Sequence, residues 1–150
     1  RGGHAGPCTG AARGRGLVEN GVQLELWAAR ALEASGNPRI QLDKPGHVFA
    51  ATGCRPLEVP TPEQLAAGGH VHAAGNPHVW LDPLNLKVAA ANVERALAAA
   101  RPAVADRFKD GAQTFAAAID EAYFGPELVK VLGAGQLERL QRSGRLVAFL

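Results

Sequence analysis

The sequence predicts an α/β fold, and three observations carry that prediction. Short β-prone pieces, Leu17-Val18 and Val48-Phe49-Ala50, alternate with stretches whose apolar residues recur at helical spacing. Asp82-Pro83 opens a long helical pattern, and Pro102 opens a second. No internal repeat points to a solenoid. The chain has 150 residues, which fits one domain or part of a larger one, and 47% of them are apolar. Of these, 29 are Ala and only 36 are Leu, Ile, Val or Phe, so close helix packing and modest stability are expected. A net charge of +2 gives no field for nucleic acid or an anionic membrane. No apolar run approaches the roughly 20 residues that span a bilayer. No charged-then-apolar leader is present in these residues. The chain opens on Arg1, contains no Met and closes on the apolar run Leu146-Val147-Ala148-Phe149-Leu150, so it reads as a fragment.

Residues 1–16 hold six Gly and three Arg without periodicity, and read as a loop or an unreliable, disordered leader. Leu17-Val18 is a strand end. From Val22 to Ser35, Leu24, Trp27, Ala28, Ala31 and Leu32 fall on one helical face, and Gly36 and Pro38 stop the helix. Residues 39–60 hold one or two short strands among Pro- and Gly-rich loops. Thr61-Pro62-Glu63 opens a brief helix through Ala67, followed by the loop 68–75. Asn76-Pro77-His78-Val79-Trp80-Leu81 is expected to be extended, because residues before proline avoid the α region and the rest are β-prone. The helix from Pro83 to about Ala100 directs Leu84, Val88, Val93 and Leu97 at the core. The helix from Pro102 to Tyr123 uses Val104, Phe108, Phe115 and Ile119. Short helices at 127–132 and 136–143 precede a strand at 145–150.

Chemistry concentrates in one place. Of five histidines, His70, His72 and His78 fall close together, with Asp82 just beyond. Neutral imidazole is the commonest zinc ligand, so the cluster is a metal candidate. A metal-dependent hydrolase using His70, His72 and Asp82 is an alternative, but it needs an apolar strand before His70, where Leu65-Ala66-Ala67-Gly68-Gly69 stands. The plainer readings are that His78 is a turn histidine, Asp82 a helix cap, Trp27 and Trp80 core residues, His47 a solvated side chain after a Pro-Gly turn and Glu25 a structural residue on a helix face. Cys8 and Cys54 form no C-x-x-C pair, which excludes a cysteine zinc site. Two unpaired thiols are expected, with a disulfide the alternative in an exported protein. No phosphate-binding loop, nucleophile elbow or dinucleotide fingerprint is present.

Asn76-Pro77-His78-Val79-Trp80-Leu81-Asp82-Pro83, followed by Asn85 and an Ala-rich helix, resembles the zinc/manganese ABC-transporter substrate-binding proteins, the ZnuA/TroA-like group. Glu19-Asn20-Gly21-Val22-Gln23-Leu24-Glu25-Leu26-Trp27 is similar to that family's strand-to-helix segment, and the resemblance runs over residues 17–124. It implies a non-enzymatic extracytoplasmic receptor, periplasmic or membrane-associated outside the cell, that captures a divalent metal ion and hands it to a membrane permease subunit as a monomer.

The implied fold has two α/β lobes joined by a long helix. Residues 17–101 would be part of the first lobe, 102–124 the connecting helix, and 125–150 a helical insertion and the start of the next lobe. Family members bind metal through three His and one carboxylate from both lobes. The resemblance assigns one of these positions to His78 and makes His70 and His72 accessory metal collectors. The third His and the carboxylate are expected beyond Leu150, and the first His is missing, because His4 does not stand where the family places it and residues 1–16 are read as coming from a shifted frame or a bad junction. An imidazole-rich site suits Zn2+ and more carboxylate would suit Mn2+, so zinc is expected, with affinity falling as pH drops toward His protonation. The alternative to a receptor fragment is a truncated, non-functional remnant.

Overall fold

A computed structural model describes residues 8–68 and 72–150. The chain is mostly helical (59%) with one small sheet. Helix α1 (Cys8–Arg13) leads into strand β1 (Leu17–Glu19), helix α2 (Ala28–Ser35) and strand β2 (His47–Phe49). The strands pair in parallel, Leu17 with His47 and Glu19 with Phe49, so α2 forms the crossover. Helix α3 (Pro62–Ala67) is followed by a 3₁₀ turn at Val79–Leu81 and helix α4 (Pro83–Ala100). A second 3₁₀ turn, Pro102–Val104, opens onto α5 (Ala105–Phe124), then α6 (Pro126–Leu132), α7 (Ala134–Arg142) and α8 (Leu146–Phe149).

Local chemistry sets several of these boundaries. Thr61 and Gln64 form a reciprocal capping box at α3, with Pro62 in its first turn. Asp82 Oδ1 accepts from the Leu84 amide at 2.9 Å, and Pro83 occupies the first turn of α4. Gly36, at φ 59°, ends α2 in the left-handed conformation.

Elsewhere tertiary contacts override the local pattern. The predicted helix 22–35 begins only at Ala28, because Gly21, Val22 and Gln23 all adopt positive φ (86°, 54° and 61°). Glu25 is therefore not on a helix face, and its carboxylate instead accepts from the Asn20 and Gly21 amides at 2.8 and 3.1 Å. This turns Trp27 outward to 66% exposure, against the expectation of a core residue. Residues 8–13 are helical rather than loop, and Asn37 Nδ2 ties them in by donating to the carbonyls of Ala11 (2.9 Å) and Gly14 (2.8 Å). The expected strand at 145–150 is helical over Leu146–Phe149. Among the described residues the sheet holds only β1 and β2, and Leu146 packs instead against the cluster of Leu84, Phe124 and Leu137.

That cluster, joined by Leu128, Val129 and Leu132, fastens the last three helices to α4 and α5. Lys87 on α4 adds a charged link between the same helices, donating to Asp120 of α5 at 2.6 Å and to Glu138 of α7. Of the predicted core contacts, Leu84 is buried, while Leu97 and Phe115 are exposed on the far parts of α4 and α5. Two buried asparagines fix α4 to the loop after β2. Asn92 Nδ2 donates to the carbonyls of Ala50 and Thr52 (2.7 and 2.8 Å). Asn85 accepts from the Arg55 amide at 3.0 Å and donates to the carbonyls of Val79 and Arg55. Such side chains satisfy backbone groups that neither helix nor sheet reaches.

Candidate metal-ligand site

The site is built where the loop after β2 meets the start of α4. Residues 76–81 are not extended as their composition predicts. The Leu81 amide bonds the His78 carbonyl at 3.1 Å, and the Asp82 amide bonds that of Val79 at 3.3 Å, closing the 3₁₀ turn. Three asparagine side chains hold it, one from within the segment and two from outside. Asn76 Oδ1 accepts from the His78 amide at 2.9 Å, Asn85 holds the Val79 carbonyl at 3.1 Å, and Asn20 Nδ2 reaches the Pro77 carbonyl at 3.0 Å. The last of these joins the Glu19–Trp27 segment to the Asn76–Pro83 segment across the fold.

His78 emerges from this frame with its side chain exposed. The ring stands 5.1 Å from that of Trp80, tilted by 58°, so Trp80 flanks the imidazole at 39% exposure rather than filling the core. Nδ1 lies 2.8 Å from Asn76 Oδ1. A cavity of about 180 Å³ runs beside the ring, lined in part by Arg55, Asn76, Asp82 and Asn85. Asp82 spends one carboxylate oxygen on its helix cap, as expected from its place before Pro83. His72 is half-buried, and the next residue's amide donates to Gln23 at 3.0 Å. His70 lies outside the described residues. Among the described residues, no three His, Cys, Asp or Glu side chains gather into a metal-binding group.

Gly75 sets the backbone that delivers Asn76. Its φ is +95°, and a Cβ there would stand 2.7 Å from the Leu57 carbonyl oxygen, which the Asn76 amide bonds at 2.8 Å. Gly75→Ala is expected to destabilise the chain by about 1–3 kcal/mol, through strain at a positive φ and loss of this close approach. Thermal melts of the two forms check this.

Two other expectations need correction. His47 is not solvated: its side chain is 1% exposed, because β2 turns it inward, with Nε2 3.0 Å from Glu19 Oε1. Burial pushes the Glu19 carboxyl above its ordinary value, an effect that His47 opposes and Glu25 reinforces. Cys54 is a free thiol, as expected, with Sγ 3.5 Å from the Asn85 carbonyl. Burial and then Asp82 raise its pKa, which favours the unreactive protonated form.

The described residues thus present one oriented imidazole beside a small cavity. The sequence matches the family described as zinc-uptake complex component A, periplasmic, over residues 11–123, and the chain belongs to that family. It is 30% identical over 126 residues to the iron-binding protein YfeA of Yersinia pestis, an alignment covering 84% of this chain and 33% of that protein. The chain thus spans about a third of the relative's length. No solved structure matches it. No described helix is long and apolar enough to cross a membrane.

Proposed function

We propose that these residues are part of a periplasmic or otherwise extracytoplasmic receptor. It captures a divalent metal ion and delivers it to the membrane subunit of an ABC-type importer, without catalysing a reaction. The observation that carries this is the exposed His78, fixed by its neighbours inside the segment that most resembles the family. His78 is one metal ligand in this reading, and His70 and His72 on the Gly-flanked loop are accessory collectors. A tight zinc site needs about four ligands, so the rest of the shell comes from parts of the protein outside these 150 residues.

The architecture proposed for the whole is two α/β lobes. Residues 17–101 belong to the first, 102–124 form the connecting helix, and 125–150 lead toward the second. The receptor works as a monomer. Zinc is the proposed ion ahead of manganese, since imidazole donors suit it. Iron is the second candidate, because a relative is named for binding it.

Competition titrations of the complete protein with Zn2+, Mn2+ and Fe2+ test the reading. The expected result is one tight site that prefers zinc. Tight iron binding with weak zinc binding would replace the ion but keep the receptor. The absence of tight binding by any of the three would overturn the proposal.

A further inference from the structure

We infer that Asn76 and Glu58 are positioning residues that fix the tautomer of His78, so that Nε2 is the nitrogen offered to a metal ion. The inference deepens the proposed function and rests on His78 being a ligand. It is read from three contacts. The Asn76 side chain bonds at both ends: Nδ2 donates to Glu58 Oε2 at 2.6 Å, and Oδ1 faces both the His78 backbone amide (2.9 Å) and His78 Nδ1 (2.8 Å). A backbone amide only donates and a carboxylate only accepts, so both ends of the amide are assigned without ambiguity. Oxygen must point at His78, and Nδ1 must then carry the proton. In a neutral imidazole the lone pair is left on Nε2.

Glu58 is set for this task at a conformational cost. Its φ of 50° is left-handed, and the adjoining Leu57 carbonyl accepts the Asn76 amide at 2.8 Å. The segment 57–58 thereby clasps Asn76 through backbone and side chain together. Partners of this kind orient metal-binding imidazoles, and their loss typically costs about 10–100-fold in metal affinity.

Long-range 1H–15N correlation of the imidazole rings, on metal-free chain with labelled histidines at a pH where they are neutral, reads the tautomer directly. Five histidines make the spectrum simple, and His78→Gln assigns the signal. The expected result is Nδ1–H at His78, moving toward Nε2–H in Asn76→Leu and, less far, in Glu58→Ala, whose exposed site leaves folding intact. Asn76→Asp combined with Glu58→Gln restores an acceptor facing Nδ1 and a donor facing residue 76, and should return the signal to Nδ1–H. An Nε2–H tautomer in the parent chain, or signals unmoved by Asn76→Leu and Glu58→Ala, would overturn the inference. Zinc added afterwards to the complete protein tests the ligand reading separately: a tautomer as expected with no zinc effect at His78 would reject that reading alone.

Discussion

His78→Ala in the complete protein should lower metal affinity by more than about 100-fold, beyond what the loss of an orienting neighbour typically costs. That is about 2.8 kcal/mol or more of binding free energy. The reason lies in how much order is already present around His78, the proposed ligand. The turn carrying His78 is held by Asn20, Asn76 and Asn85, so little conformational entropy remains to be lost when a metal arrives. His70→Ala with His72→Ala should cost less than about tenfold, the lower end of what an accessory neighbour of a metal site typically contributes, because both are proposed as collectors and not as ligands of the main site. Isothermal titration of the three forms with zinc decides between them. Equal losses would make the loop the principal site.

Lys87→Ala should destabilise the chain by about 2–3 kcal/mol. Removing one partner of a buried ion pair typically costs about 3–5 kcal/mol, because the other charge is left uncompensated. The figure is reduced here because the side chains of Lys87 and Glu138 are 17% and 23% exposed. Asp120 is the vulnerable group, since its side chain is 8% exposed. Denaturant unfolding should show a lower midpoint with little change in slope. Lys87→Ala combined with Asp120→Asn should recover part of the loss by removing the stranded charge.

The same ammonium supplies a pH signature. Burial works to lower its pKa, but hydrogen bonds and charge attraction from Asp120 and Glu138 outweigh this and hold it above the ordinary value. A cation with a raised native pKa contributes stability that is complete below the unfolded value of about 10.4 and is lost as pH rises through the native one. The gap between parent and Lys87→Ala should therefore persist at neutral and mildly alkaline pH and close only in strong alkali.

The elements legible in the sequence are those whose cause is local. Thr61-Pro62 with Gln64, and Asp82-Pro83, carry their own hydrogen-bond partners within one turn, and both helices start where those residues place them. The helix expected from Val22 started late because its first turn depends on what Glu25 does, and Glu25 serves backbone amides behind it. His47 and the segment 145–150 were misplaced for a related reason. Whether a side chain faces inward, or whether a strand has a neighbour, is set by residues far away in sequence. At the site, His78 stood out by its motif and its companions did not. Asn76 lies inside that motif as an ordinary pre-proline residue, and Glu58 lies 18 positions earlier in a loop with no pattern of its own.

The two asparagines that α4 extends to the loop after β2 also decide how the molecule breathes. The Arg55 amide is bonded to Asn85, and the Ala50, Thr52 and Arg55 carbonyls are held from the same helix. The loop has no regular secondary structure, yet it cannot lift away without leaving helix side chains unsatisfied. Exchange of the Arg55 amide with solvent therefore requires its bond to α4 to open, whereas the Ala50 and Ala51 amides are held by the Glu19 and Asn20 carbonyls at the end of β1. The segment around His78 is held by that same helix through the Asn85 bond to Val79, so α4 carries both the loop after β2 and the frame of the imidazole.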